Sequence, residues 1–211
     1  YMVQAPAGTT LANSLTRAEE QLAANSPIPR AMETNAVADV INQAQTEGLG
    51  AGFFQEPDHP ETVVPGLTES TEGTDGFAVQ ITAWLELPAG PFRMGVVSDD
   101  GYKVASGAGL TDVNGSMLGF HSGGPANETF DFVVSQAGFY PFRMIWYEGG
   151  GSAHAEWFAQ DLTTGERVLI NDPKSSKSIK AYRTVAAEPE IRLESTASLG
   201  QAFADDAAAV V

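Results

Sequence analysis

Two adjacent carboxylates follow an apolar run in Ser98-Asp99-Asp100-Gly101-Tyr102. Adjacent side chains on a strand point to opposite faces. Both carboxylates therefore reach one point only where the backbone bends sharply or the peptide bond between them is cis. A hard, oxygen-seeking cation such as calcium is the ligand that such a pair would hold. The alternative is an Asp-Gly turn between two strands, which needs no ligand.

A second stretch, Glu148-Gly149-Gly150-Gly151-Ser152, places another carboxylate beside a flexible glycine loop. Calcium takes six to eight oxygens and commonly mixes carboxylates with backbone carbonyls. Glycines tolerate positive φ, so such a loop can turn its carbonyls toward one point. A loop of this kind beside Asp99 and Asp100 would supply the oxygens that two aspartates lack. The alternative is a glycine-rich hairpin turn with Glu148 in solvent.

Aromatic residues in candidate strands give a further indication of function. Trp84, Trp146 and Trp157 all lie in such strands, where core or cross-strand packing is the more common role. The functional alternative is a platform on which the apolar face of a sugar ring stacks. Tyr102 and Tyr147 would serve the same purpose beside the acidic turn.

The motifs of common enzymes are absent from the sequence. None of the three histidines belongs to a His-Glu-x-x-His pattern, and there is no Gly-x-Ser-x-Gly elbow or phosphate-binding glycine loop. Ser152 and His154 would share one face of a strand, but no third member of a triad is identifiable. Paired carboxylates would suit a glycosidase, yet the many acidic residues single out no pair. We expect a non-catalytic protein.

The composition restricts the partners of the chain. Its 211 residues carry a formal net charge of -16 and have a sequence pI near 4.3, which argues against nucleic acid and anionic membranes as partners. There is no cysteine, so disulfides and thiolate metal sites are excluded. No apolar run approaches the roughly 20 residues that span a bilayer, so membrane insertion is not expected. The sequence shows no leader at Tyr1 and reads as a mature or excised piece.

From Gly50 onward the apolar pattern has a period of two. It predicts strands at 77–87, 129–134, 139–146 and 153–158, separated by turns rich in glycine, proline and asparagine. No helical pattern interrupts residues 77–170. The sequence therefore predicts an all-β fold, an antiparallel β-sandwich of the lectin-like kind, over residues 49–185.

Both ends of the chain read differently from the sandwich. Residues 1–48 predict a short helical N-terminal extension, with one helix capped by Thr10 and a second from Asn35 to a C-cap at Gly48. Residues 186–211 are acidic and alanine-rich and form a tail or linker. We expect the extension to be a linker or a docking arm for self-association, and the sequence leaves open whether it packs on the sandwich.

The two site motifs, in this order, resemble the protective-antigen 14-kDa domain family, which includes sugar-binding domains of yeast flocculins, fungal epithelial adhesins and bacterial surface adhesins. The first matching feature runs from Val96 to Val104. The second is the strand 137–144, which continues through Glu148 and its glycine loop to Trp157. The Gly50-Ala51-Gly52-Phe53-Phe54 segment is similar to the family's first strand, so the resemblance covers about residues 48–185.

The resemblance implies an extracellular, calcium-dependent carbohydrate-binding or adhesion module. In adhesin members the Asp-Asp pair is joined by a cis peptide and holds a calcium ion that binds vicinal sugar hydroxyls. Carried over, the metal ligands are the side chains of Asp99, Asp100 and Glu148, with backbone oxygens near Gly150 and Ser152. The flocculins have asparagine where this chain has Glu148.

The resemblance gives the chain a cell-surface glycan as partner and Ca2+ as cofactor. The residue chemistry adds Trp84, Tyr102 or Tyr147 as the aromatic side chains that stack on the sugar. Two other functions stay open at this point. One is a structural repeat or subunit of a bacterial surface protein or fibre, with calcium structural or absent. The other is a carbohydrate-binding accessory of a larger glycosidase.

Overall fold

The computed structural model describes residues 1–46, 49–55, 57–67 and 73–185. Within these residues the strands form two sheets that pack face to face around an apolar core. The first sheet contains β1 (Met2–Gln4), β2 (Met32–Thr34), β5 (Phe77–Leu87), β7 (Tyr102–Ser106), β8 (Ser116–His121), β10 (Gly138–Tyr147) and β13 (Ala181–Tyr182). The second sheet contains β3 (Asn42–Ala44), β4 (Thr62–Val63), β6 (Gly90–Asp99), β9 (Ala126–Val134), β11 (His154–Gln160) and β12 (Arg167–Leu169).

Most strand pairs of both sheets are antiparallel. The first sheet has the order β2-β1-β5-β10-β7-β8, with β13 beside the far half of β5. The second has the order β4-β3-β11-β6-β9, with β12 beside the end of β11. The β3–β4 pair is parallel. The predicted all-β sandwich is confirmed.

Alternating side chains of the long strands meet between the sheets. Phe142 of β10 lies with its ring centroid 6.0 Å from that of Phe132 on β9 and 6.0 Å from that of Trp157 on β11. These contacts join the first sheet to the second, and burial of their large apolar surfaces stabilises the sandwich.

The helix α1 (Leu15–Leu22) covers the outer face of the first sheet. Ser14 caps its N-terminus by accepting a hydrogen bond from the Arg17 backbone N–H. Ala18 and Leu22 pack in a second apolar cluster with side chains of β1, β5 and β10. Among the described residues, no helix has the length and apolar character to cross a membrane.

The N-terminal extension differs from its prediction in two respects. Its helix begins at Leu15 rather than directly after Thr10. The predicted second helix is wrong, because 35–41 is irregular and Asn42–Ala44 is a strand beside β11. Pairing with β11 buries these three residues and outweighs the helical spacing of the apolar positions.

The extension also supplies strands to both sheets, since β1 pairs with β5 and β3 pairs with β11. Gly48, the predicted cap of the second helix, and the tail 186–211 lie outside the described residues. The division of the chain at residues 48 and 185 stays a prediction.

Replacing Phe142 with alanine should lower the free energy of unfolding by about 3–5 kcal/mol, because its side chain is 1% exposed and fills the space between the sheets. Phe139→Ala is the matched control on the same strand, where the ring is 40% exposed, and should cost about 1 kcal/mol or less. Urea denaturation measures both. Equal losses would contradict the assignment of the inward face.

Candidate metal centre

The Asp99-Asp100 turn carries the chain from the second sheet to the first. β6 ends at Asp99 and β7 begins at Tyr102, so the turn lies where the two sheets meet at one end of the sandwich. The Asp100 N–H donates to the Tyr147 carbonyl, and the Tyr147 N–H donates to the Gly101 carbonyl, both at 3.2 Å. The Trp146 indole N–H donates to the Asp99 carbonyl at 3.0 Å. These bonds fix the turn against the end of β10, which Glu148 follows.

Three carboxylates converge at this junction. The peptide bond between Asp99 and Asp100 is cis, as the family resemblance implies. One carboxylate oxygen from each of Asp99, Asp100 and Glu148 lies within 4.8 Å of the others. The Gly149 N–H donates to Asp100 Oδ2 at 2.9 Å and orients that carboxylate. The structure thus brings together the three side chains that the sequence predicts as metal ligands.

Glu148 is the most deeply placed of the three. Its side chain is fully buried, and neither carboxylate oxygen accepts a hydrogen bond of normal geometry from the described residues. Burial raises the pKa of Glu148 to about 8, and the charges of Asp100 and Asp99 add to the rise, while the nearby Gly150 backbone N–H offsets part of it. Glu148 therefore holds its proton unless a positive charge enters the cluster.

The charged form of Asp99 is also disfavoured by its surroundings. Its side chain is half-buried, and desolvation followed by the charge of Asp100 raises its pKa. His154, the cross-strand neighbour of Asp99, has its own pKa lowered, chiefly by burial. A neutral imidazole there gives the carboxylates no compensating charge.

The loop after Glu148 borders the cluster. Gly150 and Ser152, the predicted backbone ligands, are both exposed, and Gly151 has a φ of 117° that suits glycine alone. The Gly151 N–H donates to Asp75 Oδ1 at 3.4 Å, so a further carboxylate faces this loop. The roles of Gly150 and Ser152 as ligands stay predictions.

The predicted sugar-stacking aromatics do not form a platform at this site. Tyr102 and Tyr147 are 1% and 0% exposed, so neither ring offers a face to a ligand, and these two assignments are corrected. Trp84 is half-buried and lies six residues along β5 from Ala78, the cross-strand partner of Tyr147. That spacing corresponds to about 20 Å, which places Trp84 far from the carboxylates.

Tyr147 has a structural role instead. Its hydroxyl accepts a hydrogen bond from the Gly123 N–H at 2.9 Å and lies 3.4 Å from Ser122 Oγ. A methyl group on Gly101 would approach that hydroxyl to 2.3 Å, so the glycine of the acidic turn makes room for the tyrosine. Tyr147 thus holds the loop after β8 against the acidic turn.

A buried arginine beneath the cluster was missed by the sequence analysis. Arg17 is 4% exposed and donates to the carbonyls of Phe77, at 3.2 Å, and Glu148, at 3.1 Å. Its guanidinium lies 5.0 Å from the centroid of the Tyr147 ring, and burial lowers its pKa. The signal was available, because Arg17 and Gln21 have the same helical spacing as the inward-facing Ala18 and Leu22.

The donor set defines the chemistry of the cluster. The three carboxylates form an all-oxygen set, which suits a hard divalent cation and not a soft metal. A fully buried carboxylate whose oxygens accept no well-formed hydrogen bond within the described part of the chain is an independent indication of a positively charged ligand, because burying an uncompensated charge is costly. The residues present therefore fit a calcium ion.

Comparisons with known proteins identify the fold. No family model matches the sequence, and no curated protein matches it. Similar solved structures include the PA14 domain of the MpAFP antifreeze protein, which is 14% identical with a TM-score of 0.51 over 85% of this chain and 87% of that one. Another is a PA14 sugar-binding domain from an RTX adhesin, 19% identical with a TM-score of 0.49 over 80% of this chain and 92% of that one.

A weaker likeness links the chain to the subtype-switched A domain of an epithelial adhesin from Candida glabrata, solved with β-lactose. It is 10% identical with a TM-score of 0.37, over 44% of this chain and 46% of that one. The likeness to the antifreeze-protein domain shows the fold. This chain has the fold of a PA14 domain, which confirms, at the level of the fold, the resemblance to the protective-antigen 14-kDa family.

Proposed function

We propose that this chain is a calcium-dependent carbohydrate-binding module of an extracellular adhesion protein. The side chains of Asp99, Asp100 and Glu148 hold the ion, and backbone oxygens of Gly150 and Ser152 add to them. The observation that carries the proposal is the buried Glu148 carboxylate, whose oxygens accept no hydrogen bond of normal geometry in the described part of the chain.

A bound cation resolves the electrostatics of the cluster. Carboxylates in one buried site repel each other and favour protonation, as the raised pKa values of Glu148 and Asp99 indicate. A divalent ion reverses this preference, because it stabilises the deprotonated form of every ligand. Arg17 does not replace the ion, since its side-chain hydrogen bonds go to backbone carbonyls and Gln21.

Calcium suits the site better than magnesium for geometric reasons. Magnesium requires near-ideal octahedral coordination, whereas calcium accepts six to eight oxygens in flexible geometry. The ligands here combine a fixed turn with a loop of consecutive glycines, Gly149–Gly151, which favours an irregular shell. Five protein groups leave at least one calcium position for water or another ligand.

The open side of the site supports sugar as that ligand. Asp99 is half-buried and Gly150 and Ser152 are exposed, so the ion faces solvent on one side. Two neighbouring hydroxyls of a sugar can replace water there. The ordered pair of motifs shared with sugar-binding adhesin domains supports the same ligand class. An exposed site of this kind suits the millimolar calcium outside cells.

Calcium titration of the metal-free protein tests the metal site. Wild type should bind one calcium, whereas Asp99→Asn and Asp100→Asn should each lower the affinity roughly 100-fold, because a carboxylate at ligand distance contributes several kcal/mol. Asp131→Asn is the matched control, since the exposed Asp131 pairs with Arg93, six residues along β6 from Asp99. Calorimetry should show an unchanged affinity for the control. Equal calcium binding by all variants would refute the site.

Removal of calcium should make stability fall with rising pH. The folded protein keeps Glu148 protonated up to a pKa of about 8, while the unfolded chain releases that proton near 4.5, so the free energy of unfolding falls between these values. Burial also raises the pKa of Glu156 to about 7, so this residue likewise lowers the free energy of unfolding as the pH rises toward 7.

Urea denaturation in chelator at pH 5 to 8 measures this slope. As the pH rises from 5 to 8, the free energy of unfolding of Glu148→Gln should increase by roughly 2 kcal/mol or more relative to that of wild type. Glu20→Gln, which removes an exposed carboxylate of α1, controls for net charge and should run parallel to wild type. If the stability of Glu148→Gln ran parallel to that of wild type over this pH range, the raised pKa of Glu148 would be contradicted.

Sugar binding should require calcium. Glycan-array binding by the full chain should appear with calcium, disappear with chelator and be absent in Asp99→Asn, while Asp131→Asn binds as wild type does. Calcium binding without any calcium-dependent glycan would refute the carbohydrate function and indicate a structural ion.

A further inference from the structure

We propose that Asn13, in the N-terminal extension, contacts the sugar directly and helps to select it. This inference rests on the proposed function of the acidic cluster. It adds a residue outside both motifs and outside the region that resembles the family.

Asn13 lies beside the acidic cluster. A methyl group built on Gly149 would be 3.5 Å from Asn13 Cγ and 3.5 Å from Asp100 Oδ2. The amide carbon of Asn13 and that carboxylate oxygen are therefore at most about 7 Å apart. A sugar whose hydroxyls bind an ion at Asp100 would extend over this distance, so its remaining hydroxyls come within reach of Asn13.

The Asn13 side chain is available for a ligand. It is exposed, and within the described ranges no hydrogen bond, ion pair or ring contact engages it. A side-chain amide has two N–H donors and a carbonyl acceptor, which match the paired donor and acceptor character of a sugar hydroxyl. Asn13 can therefore bind a sugar without breaking a contact within the protein.

The backbone on both sides of Asn13 is anchored. Before it, the Ala12 carbonyl accepts a hydrogen bond from Arg17 Nε at 2.9 Å. After it, the Leu15 N–H donates to Ser122 Oγ at 3.3 Å. Two fixed neighbours limit the positions that the Asn13 side chain can reach, which favours a defined contact over a loose one.

The same arginine couples this segment to the metal ligands. The Arg17 guanidinium donates from Nε to the Ala12 carbonyl and from a terminal nitrogen to the Glu148 carbonyl at 3.1 Å. One buried planar group thus sets the distance between the Asn13 segment and the Glu148 loop. Arg17 is a positioning residue in this arrangement, and Asn13 is the group that reaches the ligand.

The test compares calcium affinity with sugar affinity in one variant. Calorimetry with L-fucose, methyl α-D-mannoside, D-galactose and D-glucose identifies a sugar that wild type binds with calcium. For that sugar, Asn13→Ala should lower the affinity roughly three- to ten-fold, the effect of one lost hydrogen bond. Its calcium affinity should stay within about two-fold of wild type, because the amide is placed to bind the sugar and not the ion.

Asn25→Ala is the matched control, because Asn25 is an exposed asparagine in the turn after α1, at the other end of the helix. It should retain both affinities. Unchanged sugar affinity in Asn13→Ala would overturn the inference, and a parallel loss of calcium affinity would reassign Asn13 to the ion. Wild type that binds calcium but none of the four sugars would refute the carbohydrate function and this inference together. Wild type that binds no calcium would refute the metal site first.

Discussion

The burial of Glu148 beside two aspartates is the constraint on which the organisation of this protein depends. A carboxylate that accepts no hydrogen bond of normal geometry from the described residues, within 4.8 Å of two others, is unfavourable as an anion and acceptable as a neutral acid or a metal ligand. The carboxylates come together because the turn between β6 and β7, which joins the two sheets, is bonded to the end of β10 through Tyr147 and Trp146. The sandwich therefore holds acidic groups together that would separate in solution.

The N-terminal segment belongs to this arrangement. β1 extends the first sheet, α1 covers its outer face, and Arg17 reaches through to the backbone of Glu148. The buried guanidinium of Arg17 donates its hydrogen bonds to backbone carbonyls and to Gln21. It therefore supports the loop without forming ion pairs with the carboxylates. The N-terminal segment, which the sequence predicts as a separate extension, thus places Arg17 beneath the acidic cluster and Asn13 beside it.

The strands and the acidic cluster could be predicted from the sequence because their signals are local or repeated. Period-two alternation marks β5, and three carboxylates beside glycine turns indicate an oxygen-ligand site. The strand at Asn42–Ala44 could not be predicted, because it depends on pairing with β11, more than 100 residues away. The sugar-stacking roles predicted for Tyr102 and Tyr147 are wrong for a related reason. Their types suit stacking on a sugar, but Tyr102 packs in the core between the sheets and Tyr147 packs in the cluster beneath α1, so both are buried.

The division of the site into fixed and flexible parts has a functional consequence. The Asp99-Asp100 turn is fixed by three backbone and indole hydrogen bonds, whereas Gly150 and Ser152 lie on an exposed glycine loop. Under the proposed function, this fixed carboxylate pair determines where the ion lies, and the ion leaves the choice of its further ligand open. The choice of sugar would then depend on the segments around the site: the loop after Glu148, the Ser122-Gly123 turn and Asn13, which come from separate parts of the chain. Under the proposed function, changes in the Ser122-Gly123 turn or at Asn13 would alter the sugar while leaving the ligands of the ion in place, which would allow one fold to recognise different sugars.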